Sequence, residues 1–327
     1  MLGRVTRALR PALPRLQSVK DLHVGVLGAP FNKGQRKPGV TQGPEAIRAT
    51  GVLQRLQQLG DEIQDYGDVT PAETTIEVKL GPDGERNLES VLEYNRMLAG
   101  RVQKVLTETE LCVTIGGDHS ISIGSVYGHA QHAKNKEVVI LWVDAHSDIN
   151  TGSTSDSGNM HGMPVAYLLR ELADKMNRLY EWPHPCISAS NIAYIGLRDV
   201  DPGEKDAMSK LGILNYSVDD VDVHGLNKVI DNCMKHLNPG PYRPLHLSFD
   251  IDALDPSEAP STGTPVRGGL TLREGQQIVD AARMSGNLRA IDMVEVNPTL
   301  GSVTSAEHTA DAAKYILITA INGFRGT

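Results

Sequence analysis

Val138-Val139-Ile140-Leu141-Trp142-Val143-Asp144-Ala145-His146-Ser147-Asp148 decides how this chain is read. Its first half is an unbroken apolar run rich in β-branched residues, the pattern of a strand buried on both faces. Its second half sets a carboxylate, an imidazole and a carboxylate at alternate positions. In extended backbone, residues i, i+2 and i+4 project to the same side. Asp144, His146 and Asp148 therefore converge just past the carboxyl end of a buried strand, the edge where open α/β sheets bind ligands. Two carboxylates and an imidazole gathered at one point need a cation, and a metal is the obvious candidate.

On either side of this stretch, apolar strands alternate with helical patterns. Strands are expected at Leu22–Leu27, Leu111–Ile115, Ile192–Ile195, Ile213–Tyr216, Leu245–Phe249 and Leu288–Val294, with a weak one near Ile63. Helices are expected from Pro44 to Gly60, over Leu88–Leu106 and Ser120–Lys134, from Pro164 onward, and over Gly225–Leu237, Leu272–Met284 and Ala306–Ile321. Thr70–Gly84 and Ile149–Gly162 read as loops. This alternation predicts an α/β fold with a mostly parallel sheet of about eight strands and helices on both faces. No linker rich in Pro, Gly or Ser interrupts it, so residues 21–327 are read as a single domain.

The chain has 327 residues, 40% of them hydrophobic, which suits an ordinary globular protein. A net charge of -8 makes nucleic acid an unsuitable partner. No apolar stretch is long enough to cross a bilayer. The 3 scattered cysteines argue for a reducing compartment and against a disulfide framework. Cys112 reads as a small buried hydrophobe.

Residues 1–20 differ from the rest. Arg4, Arg7, Arg10, Arg15 and Lys20 precede the first acid, Asp21, and Leu2, Val5 and Leu9 cluster opposite Arg4 and Arg7 on a helical wheel. That is the make-up of a mitochondrial transit peptide, although Pro11 and Pro14 interrupt any long helix. The alternative is a basic arm on a cytoplasmic protein.

Four strands end in ionisable groups: Asp118 and His119; Asp144, His146 and Asp148; Asp250 and Asp252; and Glu295. A lone Asp after a strand is ordinarily a cap or turn residue. Four such ends together point to a metal site. Carboxylates and imidazoles without thiolate disfavour structural zinc and favour manganese. The ligand number suits two ions about 3.5–4 Å apart, which would lower the pKa of a bridging water and make the site hydrolytic.

Gly116-Gly117-Asp118-His119-Ser120, Asp144–Asp148 and Ser248-Phe249-Asp250-Ile251-Asp252-Ala253-Leu254-Asp255-Pro256 resemble the three metal-binding motifs of the ureohydrolase family. Asp148-Ile149-Asn150-Thr151, Ser157-Gly158-Asn159-Met160-His161-Gly162 and Ile195–Glu204 bring the likeness closest to its arginase branch. The resemblance implies the ureohydrolase fold and hydrolysis of L-arginine to L-ornithine and urea by a hydroxide bridging two Mn2+ per subunit. It places one ion on His119, Asp144, Asp148 and Asp250, and the other on His146, Asp144, Asp250 and Asp252. Asp148 would orient the hydroxide and move its proton, His161 would shuttle protons, and Glu295 would grip the guanidinium. Asn150, Ser155 and Ser157 would meet the α-carboxylate, Asp201 the α-ammonium with Asp199 in support, and Thr264 the guanidinium end. A homotrimer or homohexamer is implied, with Arg325 a candidate for an intersubunit ion pair.

Two residues depart from the arginase pattern. Gly152 stands where a Pro is usual, which should loosen its loop. Asp156 replaces a hydroxyl residue beside Ser157 and should repel the substrate carboxylate unless it points to solvent. An agmatinase or guanidinobutyrate hydrolase would share the metal chemistry without needing Asn150 and Ser157. A non-catalytic regulatory relative should have lost metal ligands.

Overall fold

The computed structural model describes residues 22–70, 78–176, 182–324 and 326. The expected N-terminal segment 1–20 and Arg325 lie outside the described residues. The strands are β1 (His23–Ala29), β2 (Glu62–Asp68), β3 (Leu111–Gly116), β4 (Val139–Val143), β5 (Ile192–Leu197), β6 (Leu214–Ser217), β7 (Leu245–Asp250) and β8 (Leu288–Val294). They form one sheet in the order β2-β1-β3-β8-β7-β4-β5-β6, with parallel pairing throughout. The four strands that end in ionisable groups, β3, β8, β7 and β4, are consecutive neighbours at its centre.

Register brings their ends to one height. Ile115 pairs with Met293, Met293 with Phe249, and Phe249 with Val143, so a single row crosses all four strands one to three residues before the first ionisable group. Parallel strands linked by crossovers need helices on both faces. On one face lie α1 (Gly43–Ala49), α2 (Val52–Gln58), α7 (Val218–His224), α8 (Leu226–Leu237), α9 (Leu272–Met284) and α10 (Val303–Asn322). On the other lie α3 (Leu88–Glu108), α4 (Ser122–Ala133), α5 (Pro164–Leu168) and α6 (Pro202–Leu211). Alternation sorts β4 between them: Val139, Leu141 and Val143 join the core under the first layer, Ile140 and Trp142 the core under the second.

The structure refines several expected elements. The helix expected from Pro44 to Gly60 is two helices, because Gly51 takes φ +76°, which no continuous α-helix permits. The weak strand near Ile63 is a full edge strand, its exposed side chains hiding the usual apolar signal. The periodicity predicts neither α6 nor α7. Both open with capping boxes, Asp201 with Glu204 and Ser217 with Asp220, a local signal readable without the fold. Cys112 and Cys233 are buried, and all three cysteines are free.

Candidate metal centre and substrate cleft

Two carboxylate–imidazole groups stand at the strand ends. Ligand atoms of His119, Asp144 and Asp148 lie within 4.8 Å of one another, as do those of Asp144, His146 and Asp252, so Asp144 belongs to both. His119 Nδ1 stands 3.1 Å from Asp144 Oδ2, 3.0 Å from Asp148 Oδ2 and 3.1 Å from Asp250 Oδ2. His146 Nδ1 is 3.4 Å from Asp144 Oδ1 and 3.2 Å from Asp252 Oδ2. The six expected ligands thus come together at one rim.

Local geometry aims each of them. Trp142 stacks on the His119 ring at 4.3 Å and donates its indole N–H to Asp144 Oδ2 at 2.9 Å. Asp144 Oδ1 accepts the His146 backbone N–H at 2.7 Å, and Asp250 Oδ1 accepts that of Asp252 at 2.8 Å. Asp148 and Glu295 adopt positive φ, +51° and +62°, rare for residues other than Gly. This turns each side chain off the strand axis at a cost of about 1–3 kcal/mol that the surrounding sheet must offset.

The electrostatics are those of an anionic cage. Burial and the neighbouring Asp144 push Asp250 and Asp252 above the usual carboxylate range, and burial beside Asp144 raises Asp148 to about 6. Asp144 goes the other way: burial opposes ionisation, but His119 and His146 hold it low. Although three carboxylate oxygens crowd His119 Nδ1, it has no well-formed hydrogen bond to any of them. A buried ring nitrogen facing three converging carboxylates suits a divalent cation. With Asp144 shared and no thiolate present, the donor set fits two oxygen-preferring cations.

Beside the cage lies a cavity of about 360 Å³. His146, Asp148 and Asp250 of the cage line it, together with Asn150, Ser155, Asp156, Ser157 and His161 from the loop after β4 and with Asp199, Asp201, Glu204 and Thr264. It has no Lys or Arg in its lining. Asn150 donates to Asp201 Oδ2 at 2.9 Å, and Thr264 donates to Asp252 Oδ2 at 3.0 Å, which ties the cleft to the cage. Asp199 is exposed and lies 3.8 Å from His146 Nε2.

Glu295 is buried and stands behind His161, outside the cavity lining. Its Oε1 accepts the His119 backbone N–H at 2.9 Å and lies 3.0 Å from His161 Nδ1. Burial alone would disfavour a charged His161, but Glu295 outweighs it and raises the ring to about 9. Asp118 is outside the cage. It accepts the Gly34 N–H at 2.8 Å and the Ser120 N–H at 3.1 Å, pinning the 31–34 loop beneath the rim.

Glu204 carries no expected role yet lines the cavity. It accepts the backbone N–H groups of Ile149 at 3.1 Å and Asp201 at 3.0 Å, so one carboxylate joins the loop after β4 to the start of α6. Gly152 corrects the expectation of a loosened loop. A Cβ there would stand 2.7 Å from Asp83 Cβ and 2.8 Å from Glu85 Cδ, so the missing side chain lets the loop pack tightly. Asp156 is exposed but does not turn away, since it lines the cavity beside Ser157.

A parallel α/β protein with paired carboxylate–imidazole clusters at the centre of its sheet edge has the architecture of a metal-dependent hydrolase. The Arginase family model matches residues 22–322, and the chain belongs to that family. It is 47% identical over 280 residues to the hepatic arginase of Aquarana catesbeiana, covering 85% of each chain. It is 45% identical over 317 residues to the mitochondrial Arginase-2 of Homo sapiens, covering 95% of this chain and 88% of the relative. Among solved structures, the Entamoeba histolytica arginase in complex with L-ornithine superposes with a TM-score of 0.82 at 31% identity, covering 94% of this chain and 100% of the other.

Proposed function

We propose that this enzyme hydrolyses L-arginine to L-ornithine and urea, with two Mn2+ per subunit. The observation that carries the reading is the cavity: acidic, free of Lys and Arg in its lining, and opening onto two clusters that share Asp144. A cationic substrate suits such a lining, and arginine brings a guanidinium at one end and an ammonium at the other.

His119, Asp144, Asp148 and Asp250 would hold one ion, and Asp144, His146, Asp250 and Asp252 the other. When bound, such a pair lowers the pKa of water so that hydroxide is available near neutral pH. The protein's own groups do the rest. Glu295, whose Oε1 is held by His161 and the His119 N–H, would offer its remaining oxygen to the guanidinium, whose carbon is a poor electrophile because three nitrogens share its charge. Asp148 accepts the proton of the attacking water and passes it to the departing amine. His161, held in its charged form by Glu295, exchanges protons between cleft and solvent. Asn150, Ser155 and Ser157 offer N–H and O–H donors to the α-carboxylate. Asp201, supported by Asp199, faces the α-ammonium, and Thr264 steadies Asp252 beside the guanidinium.

An agmatinase would need none of the hydroxyl and amide donors on the 150–157 loop. Turnover of L-arginine and agmatine, measured side by side with Mn2+, tests the assignment. Preference for arginine is expected, and preference for agmatine would overturn it. We further propose that residues 21–327 are the catalytic unit, that residues 1–20 direct the chain to mitochondria, and that the subunits form a homotrimer.

A further inference from the structure

Beneath the sheet edge, the layer under α3–α6 is divided. Its apolar residues form two clusters, one around Leu27, Tyr94 and Ile121 and one around Trp142, Tyr194 and Val165. Between them runs a buried polar seam. β7 alternates Leu245, Leu247 and Phe249 toward one face with His246, Ser248 and Asp250 toward the other. Asp292 of β8 lies beside them, and α4 sets Ser122, Ser125 and His129 against the pair. All of Ser122, Ser125, Ser248, His246 and Asp292 are at most 1% exposed, too dry for hydroxyls that only fill space.

The proton directions in this seam follow from Asp292. Its Oδ2 accepts the hydroxyl of Ser122 at 3.0 Å and that of Ser125, while His246 Nε2 stands 3.1 Å away. A hydroxyl has one proton to give. Because Ser122 gives its proton to Asp292, Ser122 Oγ presents only lone pairs to Ser248 Oγ at 3.4 Å, which favours a Ser248 hydroxyl turned toward Ser122. With that hydroxyl turned away from the ring, the 2.8 Å contact between Ser248 Oγ and His119 Nε2 takes its proton from the ring N–H. An N–H at Nε2 leaves Nδ1 as the ring nitrogen that can offer a lone pair to a cation held among Asp144, Asp148 and Asp250.

We propose that Asp292 and Ser122 are positioning residues that hold His119 in its metal-binding tautomer through Ser248. Groups that orient a metal-ligating imidazole in this way govern metal affinity. The inference rests on the metal centre proposed above. Ser125 supplies the matched control: it donates to the same carboxylate oxygen from the next turn of α4, while the hydroxyl that meets Ser248 is that of Ser122.

The test titrates Mn2+ calorimetrically into the chelator-stripped full chain as wild type, Ser122→Ala and Ser125→Ala, with metal content measured after gel filtration. Wild type should take two ions; Ser122→Ala should lose about tenfold or more in affinity at one of them, and Ser125→Ala should stay within about threefold of wild type. The two stripped variants should melt at matching temperatures, so the difference cannot come from folding. Ser122→Ala binding both ions as wild type does, or Ser125→Ala losing as much as Ser122→Ala, would overturn the relay. Wild type that takes up no Mn2+ would instead bring down the metal centre itself, a failure visible before any variant is compared.

Discussion

His161 Nδ1 lies 3.0 Å from Glu295 Oε1, and that same oxygen accepts the backbone N–H of His119 at 2.9 Å. One buried carboxylate therefore ties the loop over the cleft to the strand end beneath it. It also sets the charge of the histidine at the entrance.

That pair predicts a pH window. The His161 pKa rises from 6.5 to about 9 on folding, so its pairing stabilises the protein fully below about 6.5 and is lost as pH rises through about 9. The gap in melting temperature between wild type and His161→Gln, both stripped of metal, should be widest near pH 6 and narrow towards pH 10. A gap that widens with pH would contradict the pairing.

Asp156 predicts a weakened grip on the substrate's anionic end. Exposed charge pairs exchange about 0.2–1 kcal/mol, so Asp156→Ser should lower the KM for L-arginine by about fivefold or less and leave kcat unchanged. Repulsion from a carboxylate disappears when the carboxylate does, so the KM for agmatine should not fall. Steady-state kinetics on both substrates check this. An unchanged KM for arginine would show that Asp156 does not meet the substrate.

Much of this site was legible in the sequence because strand period and strand ends are local features. Alternation at Asp144, His146 and Asp148 points three groups to one spot wherever the strand lies. That β3, β8, β7 and β4 are adjacent was a supposition until the sheet order showed it, because adjacency depends on crossovers that no local pattern encodes. The polar seam was half-written in Leu245–Asp250, where every second residue is polar, but its partners on α4 lie more than a hundred residues away. Gly152 was misread for a related reason. A glycine's effect depends on what occupies the space its side chain would need, and here Asp83 and Glu85 come from a distant segment.

Gly152 accordingly carries a prediction of its own. Gly152→Ala overpacks a contact in which Asp83 Cβ would stand 2.7 Å away. It should destabilise the chain by about 1–3 kcal/mol in urea unfolding. It should also raise the KM for arginine by pushing the loop that carries Asn150 and Ser157 off its seat. A variant as stable as wild type, with unchanged KM, would show that this packing does not hold the loop.

Urea release from L-arginine, measured on enzyme loaded with Mn2+, stripped by chelator and then reloaded, tests the central claim most directly. Release should vanish with the metal and return with it, and Asp144→Asn, which breaks the ligand common to both clusters, should stay at least about a hundredfold below wild type after reloading. Undiminished urea release from metal-free enzyme, or an Asp144→Asn variant as fast as wild type, would contradict the account.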